Sequence, residues 1–485
     1  MNKKLIFRLL GAILGIEAIA MLPSLGLALY FGDGDALVLG GCMLGLLIPG
    51  AGLWFLVRPR QGSQLKLKEG FLIVALGWLL LSLGGALPFF FSGFYPRFED
   101  AFFESVSGFT TTGATVLTRF EGFPRGIMFW RASTHWIGGM GVLVLTLALL
   151  PKLTGRTSHL VRAESPGPSL SKLVPHTGST AKILYMIYIL LTLAEFLSLL
   201  LCGLSPYDAA IHSLSTAGTG GFSNYGASVG AFQNVWAEAV ITAFMFLFGA
   251  NFALYYRFLI SPPREKPLTF FRDEEFRWYL GFTMAFILFL TFSNLGYYHG
   301  DFLTSFRYSA FGTCTVFSTT GFCTSDFNLW PVASQALIFF GMFIGACAGS
   351  TAGGIKVIRV LLLGKMAGRS IRATSRPKKM EVVRLDGKAV DENMLSQIAV
   401  FGVLYFLLVV FGGFLLSLDG HFDLISHLSA ALTCVSNVGP AYGAFASSFA
   451  GYGLWAKILC SFLMLAGRLE ILPMLLLFSR STWRR

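Results

Sequence analysis

Long apolar runs separated by short polar breaks dominate the chain. They occupy Leu5–Phe31, Leu37–Val57, Phe71–Phe91, Ile127–Leu150, Ile183–Cys202, Val235–Ile260, Trp278–Leu295, Val332–Ile344, Ile398–Leu418 and Leu454–Phe478. Most reach the roughly 20 residues a tilted helix needs to cross the hydrocarbon of a bilayer, so an all-α membrane protein is predicted. The opening residues, MNKKLIFRLLGAILGIEAIA, also fit a cleavable leader, but Glu17 and the apolar continuation to Phe31 favour a retained helix.

Between the long runs lie four half-apolar segments too short to span: DAFFESVSGF, DAAIHSLSTA, FRYSAFGTCTVF and FDLISHLSAALTCV. Each leads into a turn rich in glycine and small polar residues: TTTGAT (110–115), TAGTGGFSN (216–224), FSTTGFCTSD (317–326) and VSNVGPAYG (435–443). Aligned on Gly113, Gly220, Gly321 and Gly439, the turns are 107, 101 and 118 residues apart. The repeating unit is helix, re-entrant half-helix, extended turn and helix, four times over, behind two additional N-terminal helices. The expected divisions are 1–68 for the additional helices, then 69–165, 166–272, 273–390 and 391–485 for the units.

Composition agrees with the pattern. The chain is 54% hydrophobic and 13% charged, against about 25% charged in soluble domains. The formal charge of +12 is unevenly spread. All but seven of the 37 Lys and Arg lie at the N-terminus or in 58–68, 151–182, 257–277, 356–388 and 480–485. The positive-inside rule puts those segments and both termini in the cytoplasm, so all four turns hang from the outer face with one polarity. Parallel repeats of this kind close around an axis normal to the membrane, which predicts a pseudo-fourfold ring. The competing reading, an alternating-access secondary transporter built from inverted repeats, puts corresponding turns on opposite faces.

Nothing arranges the basic loops as a nucleic-acid reader, so no nucleic-acid partner is expected. The seven cysteines form no CxxC pair and read as packing residues. No Ser/His/Asp set, carboxylate pair or metal-ligand cluster stands out, so neither catalysis nor a bound cofactor is expected.

Non-helical backbone at membrane depth survives only where it is buried in protein or lines a water-filled path. Four extended turns together can offer rings of four carbonyl oxygens, which replace the hydration shell of a monovalent cation. Glycine admits the backbone angles this needs, and Thr or Ser hydroxyls can bond back to hold the turn. One TTG alone reads as an ordinary loop; four copies in one topological place do not.

These turns resemble those of the Trk/Ktr/HKT superfamily of potassium transporters over essentially the whole chain, and the two preceding helices resemble its bacterial TrkH branch. The resemblance implies K+ as the transported ion and uptake across the bacterial cytoplasmic membrane. It implies a homodimer of pore subunits, and a cytosolic nucleotide-binding regulatory subunit of the TrkA type on the inner face. It carries the ion path onto backbone and hydroxyl oxygens around Thr111, Thr112 and Gly113; Thr219 and Gly220; Thr319, Thr320 and Gly321; and Asn437, Val438 and Gly439. The fourth turn departs most, with Asn437–Val438 in place of Thr–Thr and Pro440 after its glycine.

The stretch GACAGSTAGG, Gly345 to Gly354, interrupts the third inner helix with glycines 345, 349, 353 and 354 among small residues including Ser350 and Thr351. Glycine costs about 1 kcal/mol in a helix, so the segment is expected to unwind just below the third turn. A movable gate is one reading, shared by the family's intramembrane loop; close packing of small residues is the other. A phosphate loop is ruled out, because Ile355 separates the glycine from Lys356 and Val357 follows it. Arg468, in LAGRLEILP of the last helix, either bonds the freed carbonyls of that loop or forms a salt bridge ordering the bundle. Arg131 and His135 are expected to cap a neighbouring pore helix, and His212 and His427 to be structural. Glu17, Glu195 and Glu238 are candidates for interhelical bonds. The basic segment 365–396 reads as solvated or membrane-lipid-facing.

Overall fold

A computed structural model describes residues 3–57, 67–120, 122–141, 177–375, 381–420 and 422–478. Helices α1 (Lys3–Ala20) and α2 (Leu22–Phe31) form one span interrupted at Met21, with Pro23 in the first turn of α2, where its missing N–H is not needed. Helix α3 (Ala36–Leu56) returns beside α1 with Gly11 against Gly50, small residues that let two backbones approach in lipid.

Four units follow. The first has α4 (Leu67–Phe91), pore helix α5 (Phe98–Phe109) and inner helix α6 (Arg125–Gly139). The second has α7 (Thr177–Leu201), pore helix α8 (Pro206–Gly218), and inner helices α9 (Val235–Phe248) and α10 (Phe252–Ile260), followed by the short α11 (Lys266–Arg272). The third has α12 (Glu274–Ser293), pore helix α13 (Phe302–Phe317), and inner helices α14 (Val332–Ile344) and α15 (Val357–Ser375). An antiparallel hairpin, β1 (Arg384–Leu385) and β2 (Lys388–Ala389), precedes the fourth. That unit has α16 (Glu392–Ser417), pore helix α17 (Leu424–Ser436), and inner helices α18 (Leu454–Arg468) and α19 (Leu472–Phe478).

Polarity runs from the inside out. The pore helices carry Ser, Thr, His and Glu, yet α5 is buried from Ala101 to Phe109 save Phe102, and α17 from Ser429 to Ser436 throughout. The peripheral α7 and α16 expose Leu193, Leu197, Phe411 and Phe414. Hydrocarbon takes the apolar surface, and polar side chains gather where other polar groups can satisfy them.

Three expectations change. The run Val235–Ile260 is not one helix: it bends by 88° after Phe248, and Asn251 caps the new start by accepting from the Ala253 N–H at 2.9 Å. The run Leu454–Phe478 breaks between Arg468 and Leu472, with Glu470 and Ile471 at φ 56° and 67°. Segment 365–396 is not simply solvated chain. Helix α15 continues to Ser375, and the hairpin is tied to α12 by a reciprocal pair, Glu274 N–H to the Asp386 carboxylate at 2.9 Å and Asp386 N–H to the Glu274 carboxylate at 3.1 Å. Residues 142–150 of the run Ile127–Leu150, and the 165/166 division, lie outside the described residues.

The N-terminal hairpin is fastened to the first unit at a helix start. Asp33 and Asp35 accept from the Arg125 and Ile127 N–H groups, each at 3.0 Å, satisfying donors that no preceding turn of α6 can reach. Asp35 is buried and Asp33 exposed. Asp35→Ala should therefore cost about 1–2 kcal/mol, read as a lower unfolding midpoint of the detergent-solubilised protein, with a smaller loss for Asp33→Ala.

Candidate functional site

Each pore helix ends in the same backbone motif. Thr111, Thr219, Thr319 and Asn437 all sit in the left-handed region with φ 55°. The next N–H in each turn reaches five residues back into its pore helix: Thr112 to Ser107 O (2.9 Å), Gly220 to Ser215 O (2.9 Å), Thr320 to Thr315 O (2.8 Å) and Val438 to Thr433 O (3.1 Å). This is a helix-terminating motif that ordinarily takes glycine, or sometimes Asn, at the left-handed position. Three of the four residues here are threonine, whose branched Cβ makes that conformation cost about 1–2 kcal/mol. Backbone strain of this kind concentrates at functional sites.

Two residues further on, the chain takes positive φ again at Gly113, Gly221, Gly321 and Gly439 (79°, 76°, 81° and 107°). These glycines form a closed cycle. A methyl group on Gly113 would overlap the carbonyl oxygen of Gly220; on Gly221, that of Thr320; on Gly321, that of Val438; and on Gly439, that of Thr112. Each glycine thus lies on the carbonyl of the residue before the next unit's glycine, from the first unit round to the fourth and back. All four turns share one level, which an inverted repeat does not give.

The cycle corrects the alignment of the second turn. Gly221, not Gly220, is the counterpart of the other three glycines, and Gly220 stands where the others have Thr112, Thr320 and Val438. The reason is steric. A side chain on Gly220 would run into the ring of His135, which stacks on Phe222 with centroids 4.0 Å apart. His135 therefore fills the space behind the second turn that a side chain fills in the others. It does not cap a pore helix.

The hydroxyls act mostly as braces. Thr110 bonds Thr112 (2.8 Å) and Ser318 bonds Thr320 (2.6 Å), the same clasp in the first and third turns. In the fourth, Asn437 Nδ2 donates to Thr112 Oγ1 (2.9 Å) and to Met464 O (3.0 Å). Behind the turns, Glu104 accepts from Thr115 Oγ1 (2.8 Å), Val116 N (3.0 Å) and Arg131 Nε (2.6 Å), while Arg131 also donates to Ser223 O of the second unit (2.9 Å). His212 bridges Asp208 O (2.8 Å) and Ser223 Oγ (3.0 Å), and His427 bonds the Tyr452 hydroxyl (2.9 Å). Glu238 pairs with Arg307 at 3.3 Å. Glu17 has no hydrogen bond among the described residues and lies against Gly84, and Glu195 is fully buried.

A cavity of about 530 Å³ opens outward from the four glycines, with Arg131 and Asp326 on its walls. Beneath the ring, residues 345–356 leave the helix between α14 and α15, with Gly345, Gly349 and Gly354 all at φ 72°. This loop bonds to the second, third and fourth units. Gly353 N–H donates to Thr319 Oγ1 (2.7 Å), and Gly354 N–H to Ser436 O (2.9 Å). Cys347 N–H donates to Gly249 O (3.0 Å) and Gly349 O accepts from Phe252 N–H (3.0 Å), so the loop occupies the notch made by the bend between α9 and α10. Ser350 Oγ closes back on Cys347 O (2.6 Å).

Arg468 binds it from the far side. Its guanidinium donates to Thr351 O (2.8 Å) and to Gly138 and Gly139 O (2.7 Å each), joining the loop to the last carbonyls of α6. Glu470 does not pair with Arg468; it takes Arg359 of α15 at 2.7 Å. Glu275, at the start of α12, accepts from Ala348 N (2.6 Å) and Ile358 N (3.3 Å), clasping both limbs of the loop with one oxygen.

Four re-entrant helices aimed at a ring of backbone turns, with a loop packed beneath, define a pseudo-fourfold membrane pore. The comparisons give it a family. Residues 40–484 match the TrkH family, described as a cation transport protein, and the chain belongs to that family. It is 37% identical to the Trk system potassium uptake protein TrkH of Salmonella typhimurium over 490 residues, and 35% identical to TrkG of Escherichia coli over 488, covering 99% of each chain in both cases. The crystal structure of the potassium transporter TrkH from Vibrio parahaemolyticus superposes with a TM-score of 0.90 at 33% identity, covering all of both chains.

Two outcomes test the packing. Gly220→Ser should lower folded yield by collision with His135, and His135→Ala in the same chain should recover much of it. Glu275→Ala strands two buried N–H groups, each worth about 1–3 kcal/mol; amide exchange within 345–356 should then quicken about tenfold or more, with the four turns unchanged.

Proposed function

We propose that this chain conducts potassium ions into a bacterium across the cytoplasmic membrane, with both termini inside. The closed cycle of glycines on carbonyls carries the reading. It assembles Thr112, Gly220, Thr320 and Val438 oxygens into one ring, and rings of this kind substitute for the hydration shell of an alkali cation. The residues along the path are Thr111, Thr112 and Gly113; Thr219, Gly220 and Gly221; Thr319, Thr320 and Gly321; and Asn437, Val438 and Gly439. The pore-helix C-termini add about half an elementary negative charge each, which favours a cation at the level of the strained threonines. The four units, 69–165, 166–272, 273–390 and 391–485, each contribute one turn. The relatives' names, potassium uptake proteins of the Trk system, support the choice of ion.

The loop bearing Gly345, Gly349, Ser350, Thr351, Gly353 and Gly354 is the gate, and Arg468 is its latch. With Thr319 occupied by the Gly353 N–H and Thr351 held by Arg468, an ion leaving the ring meets backbone instead of water. Two such chains pair as a homodimer. A cytosolic nucleotide-binding regulatory subunit of the TrkA type docks on the inner face, where α15 carries Lys365, Arg369 and Arg372 and the hairpin Arg384 and Lys388. Asn437, Val438 and Pro440 in the fourth turn make the ring unequal, so discrimination against sodium is weaker than four Thr–Thr–Gly turns would give.

Purified protein in liposomes should pass potassium and rubidium faster than sodium, and expression should rescue a potassium-transport-deficient bacterium on low potassium. Gly321→Ser, which puts a side chain into the ring, should erase the preference. Arg468→Ala should raise flux several-fold without changing that preference. Liposomes that release sodium and potassium equally with the wild-type protein would sink the reading; unchanged flux in Arg468→Ala would remove the latch alone.

A further inference from the structure

Between the second and third units the bundle leaves a lipid-facing groove of about 630 Å³. Its walls are α9 and α12, and its floor is pore helix α13. Ala239, Thr242 and Ala243 lie on one face of α9 by their spacing and are too small to close the gap. Ala310 and Cys314 of α13 lie at the bottom, so hydrocarbon reaches the pore helix itself. The volume is that of a small-ligand pocket.

The groove has a charged end. Arg307 lies in the second turn of α13, on the side of the four turns, over the ring of Tyr308 at 4.5 Å. Its ion pair with Glu238, at 3.3 Å, uses Nε at the root of the guanidinium fork. The two terminal amino groups make no hydrogen bond with any described residue, and the side chain keeps 31% of its surface exposed. A guanidinium fork matches two oxygens of a phosphate; of the carboxylates near it, Glu238 is the one paired at Nε, and Asp301, the cap of α13, accepts from the Leu303 and Thr304 N–H groups and the Thr304 hydroxyl.

We propose that this groove holds one phospholipid of the leaflet on the side of the turns, its phosphate on the Arg307 fork and one acyl chain along Ala243, Ala310 and Cys314. The chain lies on the pore helix that ends in the third turn: Cys314 O accepts from Ser318 N–H at 2.9 Å, and Thr315 O from Thr320 N–H at 2.8 Å. An occupied groove therefore steadies that turn. Binding of the lipid does not depend on which ion the pore carries.

Native mass spectrometry of protein released from nanodiscs of phosphatidylglycerol and phosphatidylethanolamine tests this. The wild type should retain one phospholipid adduct. Arg307→Gln should weaken retention by about tenfold or more, the worth of a charge-assisted bidentate contact. Ala243→Trp, which fills the groove and keeps Arg307, should weaken it as much. Glycerol phosphate alone should not bind. Undiminished retention in either variant, provided thermal unfolding is unchanged, overturns the proposal. So does a disulfide between two copies through Leu303→Cys, which would mean that a second chain covers the groove.

Discussion

Backbone groups outside a helix cannot be left unpaired at membrane depth, and the rest of this architecture answers that constraint. Four turns carry extended backbone through the middle of the bundle. Each is tied to its own pore helix by an N–H reaching back five residues, and each rests a glycine on the neighbouring carbonyl. The pore helices must be short because they end at this ring. The inner helices must break or bend, because the space beneath the ring is filled by chain from the third unit. The polar side chains of the pore helices are buried inside this scaffold, and Glu104, His212 and His427 among them are hydrogen-bonded, while the lipid sees leucine and phenylalanine.

Fourfold backbone does not mean fourfold chemistry. The first and third turns share a hydroxyl clasp between the residues flanking the left-handed threonine. The second replaces it with the imidazole of His135, and the fourth with Asn437 reaching into the first turn and α18. One opposite pair of turns shares its bracing and the other does not, so the side chains keep neither the fourfold nor a full twofold symmetry of the backbone.

Much of this could be read in the sequence because membrane patterning is loud and repeats multiply weak signals. A single TTG says little, but four glycine-bearing turns at near-equal spacing pointed to the ring. What escaped reading was decided by contacts distant in the chain. Gly220 and Gly221 are adjacent and equivalent as letters; only His135, 85 residues earlier, distinguishes them. The break in the third inner helix was legible from four glycines in ten residues. Those after Phe248 and Arg468 were not, since the surrounding residues are mostly good helix formers and it is tertiary bonding, such as Gly249 O to Cys347 N–H, that rewards the bend. The two-residue strands of the hairpin were invisible for the same reason: Glu274, not strand propensity, holds them.

A single guanidinium joins a carbonyl from the third unit to two from the first, while Glu470 two residues on is committed elsewhere. Releasing Thr351 while keeping the two α6 carbonyls costs this half-buried guanidinium one of those three acceptors. One side chain thereby ties the third unit's loop, the end of α6 and the last unit together, so that shifting any one of the three strains its bonds to the other two.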